Sequence, residues 1–245
     1  MSEREKILGR IREALKNPAP KPGSHGSADH NHDPNHSHAH GTTTPISTTR
    51  TAAANARTWL PPVPETAEGQ LALFTTHSAD LKTDFQLLPS TNALASALKN
   101  LATELGWKRV ATHRGLLTTP ATEALGLPLL QAEAGYDVNA MEGCDAGVTE
   151  CDALVAQTGS VVLTSRSGGG RALSVLPPHH VVLARRSQLL RDLPDAFALL
   201  QEKYGQDYPS FMTLITGPSR TGDIERILVL GAHGPKKLTI LCAEH

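Results

Sequence analysis

The chain has 245 residues, long enough for one large domain or two small ones with a real core. Its 23 Lys plus Arg against 24 Asp plus Glu leave a formal net charge of −1, and aromatics are only 4%; this excludes an electrostatic nucleic-acid binder and a base-stacking platform. No apolar run reaches the length of a membrane span and the polar start SEREKILGR lacks a signal-peptide core, so a cytoplasmic protein is expected.

Residues 1–16 read as an amphipathic helix, with Ile7, Leu8, Ile11 and Leu15 on one face and charges elsewhere. So short a stripe needs a surface to dock on. Residues 17–57 change composition abruptly: large apolar side chains nearly vanish, and His25, His30, His32, His36, His38 and His40 lie close together. Such a segment cannot offset the entropy of ordering itself, so a flexible His-rich linker is expected. Neutral imidazoles also bind Zn, Ni or Cu, which leaves a metal-handling tract as an alternative.

Residues 58–245 read as one α/β domain. LKTDFQLLPS is strand-like, and STNALASALKNLATELG is helical with Ser90 as N-cap and Gly106 as stop. KRVATH is a second strand, GVTECDALVAQTG contains a helix-like stretch, and VVLTS and HHVVLAR are buried strands. PDAFALLQEKYG is a helix, FMTLITG a strand, GDIERILVLGA a helix, and KKLTILCAE a closing strand. Short β-branched runs alternating with helices predict a largely parallel sheet flanked by helices.

Three stretches at predicted strand ends carry chemistry, since open α/β sheets bind ligands there. The first holds Thr158, Gly159 and Ser160. The second, SRSGGGR, holds Gly168, Gly169, Gly170 and Arg171. In the third, Gly217 is followed by Ser219, Arg220 and Thr221, and a helix begun at Asp223 and Glu225 would offer its free N–H groups to an anion. No nucleotide fingerprint is present, neither GxGxxG opening a helix after the first strand nor GxxxxGK[ST]. Candidate general bases are His180, His233, Asp223 and Glu225. His, Cys and acids do not recur at zinc spacing in the domain, so no metal ligands are assigned there. Cys144, Cys151 and Cys242 are too few and wrongly spaced for a cluster and read as reduced, partly buried thiols, with no cofactor expected. The acids Glu133, Asp137, Glu142, Asp145, Glu150 and Asp152 read as a solvated face.

GVTECDALVAQTGSVVL (147–163), LPPHHVVLA (176–184) and above all GPSRTGDIERILVLGAHGP (217–235) resemble the LUD (lactate-utilization) domain family. The matching positions begin with Gly147, Thr149, Thr158, Gly159, Pro177 and His180. They continue through Gly217, Pro218, Ser219, Thr221, Asp223, Ile224 and Glu225 to Gly231, His233, Gly234 and Pro235. The resemblance implies a fold like ribose-5-phosphate isomerase and the CoA transferases. It also implies participation, with two iron–sulfur partner proteins, in oxidising L-lactate to pyruvate. Many members carry Glu where this chain has Gln157, and an amide cannot serve as a carboxylate nucleophile. Two alternatives stay open: a free-standing isomerase or transferase acting on a phosphorylated or CoA-linked substrate, and metal binding through the His tract.

Overall fold

The computed structural model describes residues 60–135, 137–222, 228–230 and 233–245, so the amphipathic segment 1–16 and the linker 17–57 lie outside the described residues. Helix α1 (Ala67–Asp80) starts at the Thr66 N-cap, whose hydroxyl accepts from the Gly69 N–H. Strand β1 (Asp84–Leu88) follows, then α2 (Thr91–Glu104). Ser90 sits at the N-cap of α2 with an extended backbone but makes no side-chain capping bond. Gly106, at φ +66°, stops the helix as expected.

Next come β2 (Val110–Thr112), α3 (Thr118–Glu123), β3 (Leu129–Gln131), α4 (Val138–Glu142) and β4 (Ala146–Thr149). They lead to β5 (Ala153–Val155), β6 (Ser160–Thr164), β7 (His179–Arg185) and β8 (Leu189–Leu190). Helix α5 (Leu193–Tyr204) begins at Asp192, whose carboxylate accepts from the Asp195 N–H, and carries Pro194 in its first turn. The chain closes with β9 (Met212–Ile215), β10 (Arg220–Gly222), β11 (Leu228–Leu230) and β12 (Lys237–Ala243).

Six strands form a parallel sheet in the order β1-β12-β7-β4-β2-β3. A second, mixed sheet has the order β8-β5-β6-β9. The six-stranded sheet is covered on both faces, which is why its central strands are apolar on both. In β7, Val181 and Leu183 join the Leu94, Leu98 and Ala102 stripe of α2. Val182 and Ala184 of the same strand face Phe74 of α1 and Leu154, Val161 and Leu163 of the second sheet. The far side of the second sheet packs Ala153, Val155 and Val162 against Ala196, Leu200 and Tyr204 of α5. The α/β architecture with a largely parallel sheet flanked by helices is the one expected.

Two expected helices are strands instead. The stretch 147–159 forms β4 and β5, with the run from Cys151 to Ala156 buried throughout. A helix on a sheet keeps a solvated face, and this segment has none because both sheets enclose it. GDIERILVLGA does not form the expected helix over its described residues: β10 pairs antiparallel with β11, Thr221 opposite Val229. The β-branched content of this stretch satisfies a strand as readily as its spacing satisfies a helix. Residues 220–222 and 228–230 are strand, and the helix N-terminus expected at Asp223 to hold an anion lies outside the described residues.

Candidate functional site

The residues of the three chemistry-bearing stretches meet, where they meet at all, at the amino edge of the parallel sheet. Neighbouring histidines open β7 and, by strand alternation, take opposite faces. His180 is almost fully buried, and its Nε2 lies 2.9 Å from the Thr149 hydroxyl on β4. Its Nδ1 has no partner among the described residues. Burial first, and the adjacent His179 second, push its pKa down to about 3, so the ring is neutral in ordinary buffer.

A cleft of about 160 Å³ opens beside this ring. Its polar lining comes from His180, Ser174, Thr213, Ser219 and His233; Val175, Phe211, Ile215 and Leu238 supply apolar walls, and Pro218 and Pro235 its rim. Close backbone contacts hold the rim. The Ser219 N–H donates to the Pro235 carbonyl at 2.9 Å, and the Lys236 N–H donates to the Pro178 carbonyl at 2.8 Å. A Cβ on Gly234 would lie 3.2 Å from the Ser219 Cβ. Gly147 admits the segment before β7: a Cβ there would sit 2.2 Å from the Leu173 carbonyl oxygen and 3.0 Å from the Pro177 ring. Three stretches far apart in sequence thus become one contiguous piece of structure around His180.

The remaining candidates are distributed more widely. Gly217 and Ser219 line the cleft, and Arg220 turns away from it to donate to the Leu81 carbonyl at the end of α1. Thr221 lies in β10, while Asp223 and Glu225 are outside the described residues. Thr158, Gly159 and Ser160 form the β5–β6 turn. The Thr158 hydroxyl is 2.7 Å from that of Ser160, which is 2.7 Å from that of Thr216. Gly159, at φ +65°, lies against α1, where a Cβ would be 2.8 Å from the His77 Cβ.

The glycine loop runs to the opposite edge. A Cβ on Gly169, at φ +62°, would approach the His113 Cβ to 2.2 Å. Arg171 comes nearer the cleft, its guanidinium carbon 5.8 Å from the centroid of the Phe211 ring. Ser174, Phe211 and Thr213 carried no sequence signal. Ser174 becomes a site residue through the crossing of the 165–178 segment over β4, and Phe211 and Thr213 through the pairing of β9 with β6.

Of the acids read as a solvated face, Glu133, Asp137 and Glu142 are exposed as expected, while Glu150, Asp145 and Asp152 are drawn inward to hold chain groups. Glu150 accepts from the N–H groups of Leu117 (2.7 Å) and Thr118 (3.2 Å) and from the Thr118 hydroxyl (3.3 Å). Glu133 accepts from the Arg114 N–H, and His113 Nε2 from the Glu150 N–H. Buried Asp152 accepts from Lys203, Tyr204 and Ser167 at 2.6–2.7 Å. Burial raises its pKa, and the bonds from Lys203, Ser167 and Tyr204 outweigh that and hold it below the usual range. Asp137 caps α4, and Asp145 accepts from the Lys108 and Arg109 N–H groups at the amino edge. The cysteines are free and buried; burial pushes the Cys242 thiol up to about 12 and Cys151 higher still, so neither is a nucleophile at neutral pH.

The LUD domain family model matches residues 126–242. Lactate utilization protein C of Geobacillus sp. (strain WCH70) is 35% identical over 122 residues, 49% of this chain and 51% of its own length. The protein of the same name from Anoxybacillus flavithermus is 38% identical over 111 residues, 45% of this chain and 49% of its own. The chain thus spans about half the length of the curated relatives it matches. A crystal structure of a DUF162 family protein from Deinococcus radiodurans shares the fold, with a TM-score of 0.58 at 21% identity over 74% of this chain and 99% of that one.

Proposed function

We propose, from the premise that residues 126–242 of this chain are a LUD domain, that it is a non-redox subunit of an L-lactate utilization system. On this reading it holds a small carboxylate in the amino-edge cleft, while iron–sulfur partner proteins carry the electrons as L-lactate becomes pyruvate. The observation that carries the proposal is the polar lining: two histidines, two serines and a threonine, with no acid among them. A carboxylate entering the cleft meets hydrogen-bonding groups and no like charge. The cleft's small volume favours a compact acid over a phosphorylated sugar or a CoA ester.

His180 contributes recognition rather than proton transfer. A ring protonated only near pH 3 has little driving force to take a proton at neutral pH, which disfavours the reading as a free-standing enzyme with His180 as base. Its Nδ1 has no partner among the described residues but is closed off from solvent, so a ligand bonds to it, as donor or acceptor according to tautomer, only when the cleft wall shifts.

The test is thermal stabilisation of the full chain by L-lactate and by pyruvate, repeated on Ser219→Ala and His180→Gln. One or both acids should raise the parent midpoint, and the apparent affinity should fall about tenfold in each variant. Equal response in parent and variants overturns the cleft assignment. Reconstitution with the native partners in a lactate-dependent dye-reduction assay tests the assembly: activity unchanged when this chain is omitted rejects the subunit role.

A further inference from the structure

The segment from Gly217 to Arg220 crosses the amino edge with a cleft on either side, Pro218 and Leu238 lining both. The second cleft, about 570 Å³, lies beside His179 and is larger and different in character. Lys82, Arg220, Lys236 and Lys237 line it, with Asp84 as the one acid. Four cations against one carboxylate leave a strong local excess in a chain whose formal charge is −1. Leu101 and Leu105 of α2 give it an apolar wall.

Three further observations mark this cleft as more than scattered surface lysines. Lys82, at φ 65°, holds the left-handed position that ends α1, its N–H donating to the Ala79 carbonyl and that of Thr83 to the Ser78 carbonyl, and this turn brings it to the cleft lining. None of the three lysines forms an ion pair among the described residues. His179, 4% exposed, bonds through Nε2 to the Thr239 hydroxyl at 2.9 Å and leaves Nδ1 without a partner among the described residues. Burial, and then the charge of Lys237, depress its pKa to about 4, so the ring stays neutral beside those cations.

We propose that this second cleft binds a multiply charged small anion bearing an apolar portion, a phosphate ester or a polycarboxylate, distinct from the small carboxylate of the neighbouring cleft. Lys82, Lys236 and Lys237 supply point charges, and the guanidinium of Arg220, one nitrogen of which donates to the Leu81 carbonyl, supplies directed donors. Leu101 and Leu105 take the apolar portion, and the volume lies within the range of small-molecule sites. Clustered cations also draw such an anion in at low ionic strength.

The experiment is calorimetric titration of the full chain at low salt with pyrophosphate, citrate and L-lactate. Pyrophosphate or citrate should bind in the micromolar to low millimolar range, whichever is tighter naming the class. The double variant Lys82→Glu/Lys237→Glu should weaken that binding about ten- to hundredfold and leave the L-lactate response unchanged. All three lysines are exposed, so the double variant should fold; Lys236→Glu, tested alone, gives a second reading if it does not. The proposal is overturned if neither polyanion binds, or if the charge-reversed variants bind as the parent does. It is equally overturned if Ser219→Ala, and not the lysine variants, abolishes polyanion binding. Failure of the lactate response alone counts against the first cleft only.

Discussion

The two edges of the parallel sheet use the same residue types to opposite ends. At the carboxyl edge Glu150, Glu133, His113 and Asp152 are each engaged by donors from the chain itself, and Gly169 lets the loop close over His113. At the amino edge the β7 histidines each keep an unpartnered Nδ1, and lysines line a cleft without ion pairs among the described residues. Open α/β sheets usually bind ligands at the carboxyl edge because loops there leave donors unfilled. Here side chains fill many of them, although Gln131 Oε1 and Glu244 Oε2 at the carboxyl ends of β3 and β12 also lack partners among the described residues; the amino edge adds two ring nitrogens and a set of lysines.

The sharpest way to break this contrast is Asp152→Ala. Three donors lose their acceptor; the Tyr204 hydroxyl is buried, while half-buried Ser167 keeps the Thr164 carbonyl at 3.4 Å and Lys203 reaches solvent. The expected loss is on the order of 3 kcal/mol in urea unfolding, with lactate and pyrophosphate responses unchanged once the chain is folded. A loss below about 0.5 kcal/mol would show that the cluster is not the closed, structural unit described. Next in size is Gly147→Ala. The added Cβ falls 2.2 Å from the Leu173 carbonyl oxygen, and backbone must shift to admit it. Overpacking of this kind costs about 1–3 kcal/mol. Because that segment also delivers Ser174 to the first cleft, carboxylate binding should weaken as well; an unchanged midpoint would mean the segment crosses β4 less closely.

Protonation probes the amino edge directly. His179 and His180 titrate at about 4 and about 3 in the folded chain, below the ordinary 6.5. The unfolded chain therefore takes up protons first. Their contribution is complete above pH 6.5 and is lost as pH falls toward 4 and then 3, at up to about 1.4 kcal/mol per pH unit for each histidine. Urea midpoints measured from about pH 7 to about pH 4.5 should fall along this slope, and His179→Asn/His180→Asn should flatten it. A parent profile as flat as the variant's would place both rings in contact with water.

Much of this fold was legible because fully buried strands announce themselves: HHVVLAR and KKLTILCAE are continuous apolar runs bounded by polar residues, and α2 repeats Leu94, Leu98 and Ala102 at helical spacing. The β10–β11 pair was not, since GDIERILVLGA fits either period and the choice is made by tertiary pairing. The acids were legible only in part: Glu133, Asp137 and Glu142 are exposed as expected, but what the group holds was not legible. Glu133 serves an N–H 19 residues away and Glu150 one 33 residues away, and local pattern carries no trace of such partners. His180 and Ser219 were legible as candidates through the resemblance. His179, Lys82 and the lysines before and at the start of β12 were not, because their meeting depends on the register that sets Lys237 beside His179 and Asp84 beside Thr239.

The smallest effect separates turn from ligand contact. Thr158 and Ser160 stand in a signature-like stretch, yet their hydroxyls run in a chain to Thr216 at the end of β9 and do not line either amino-edge cleft. Removing the terminal hydroxyl by Thr158→Ala deletes one neutral hydrogen bond in a half-buried setting, worth about 1 kcal/mol. The Ser160 hydroxyl keeps Thr216 as partner, so no buried group is orphaned and the loss stays near that figure. Urea unfolding should register the loss, while the midpoint shift produced by L-lactate, pyruvate or pyrophosphate should match that of the parent. A variant of parental stability with a lost ligand response would move Thr158 from the scaffold into a binding site, and the contrast between a closed carboxyl edge and an open amino edge would have to include a third polar surface at the β5–β6 turn.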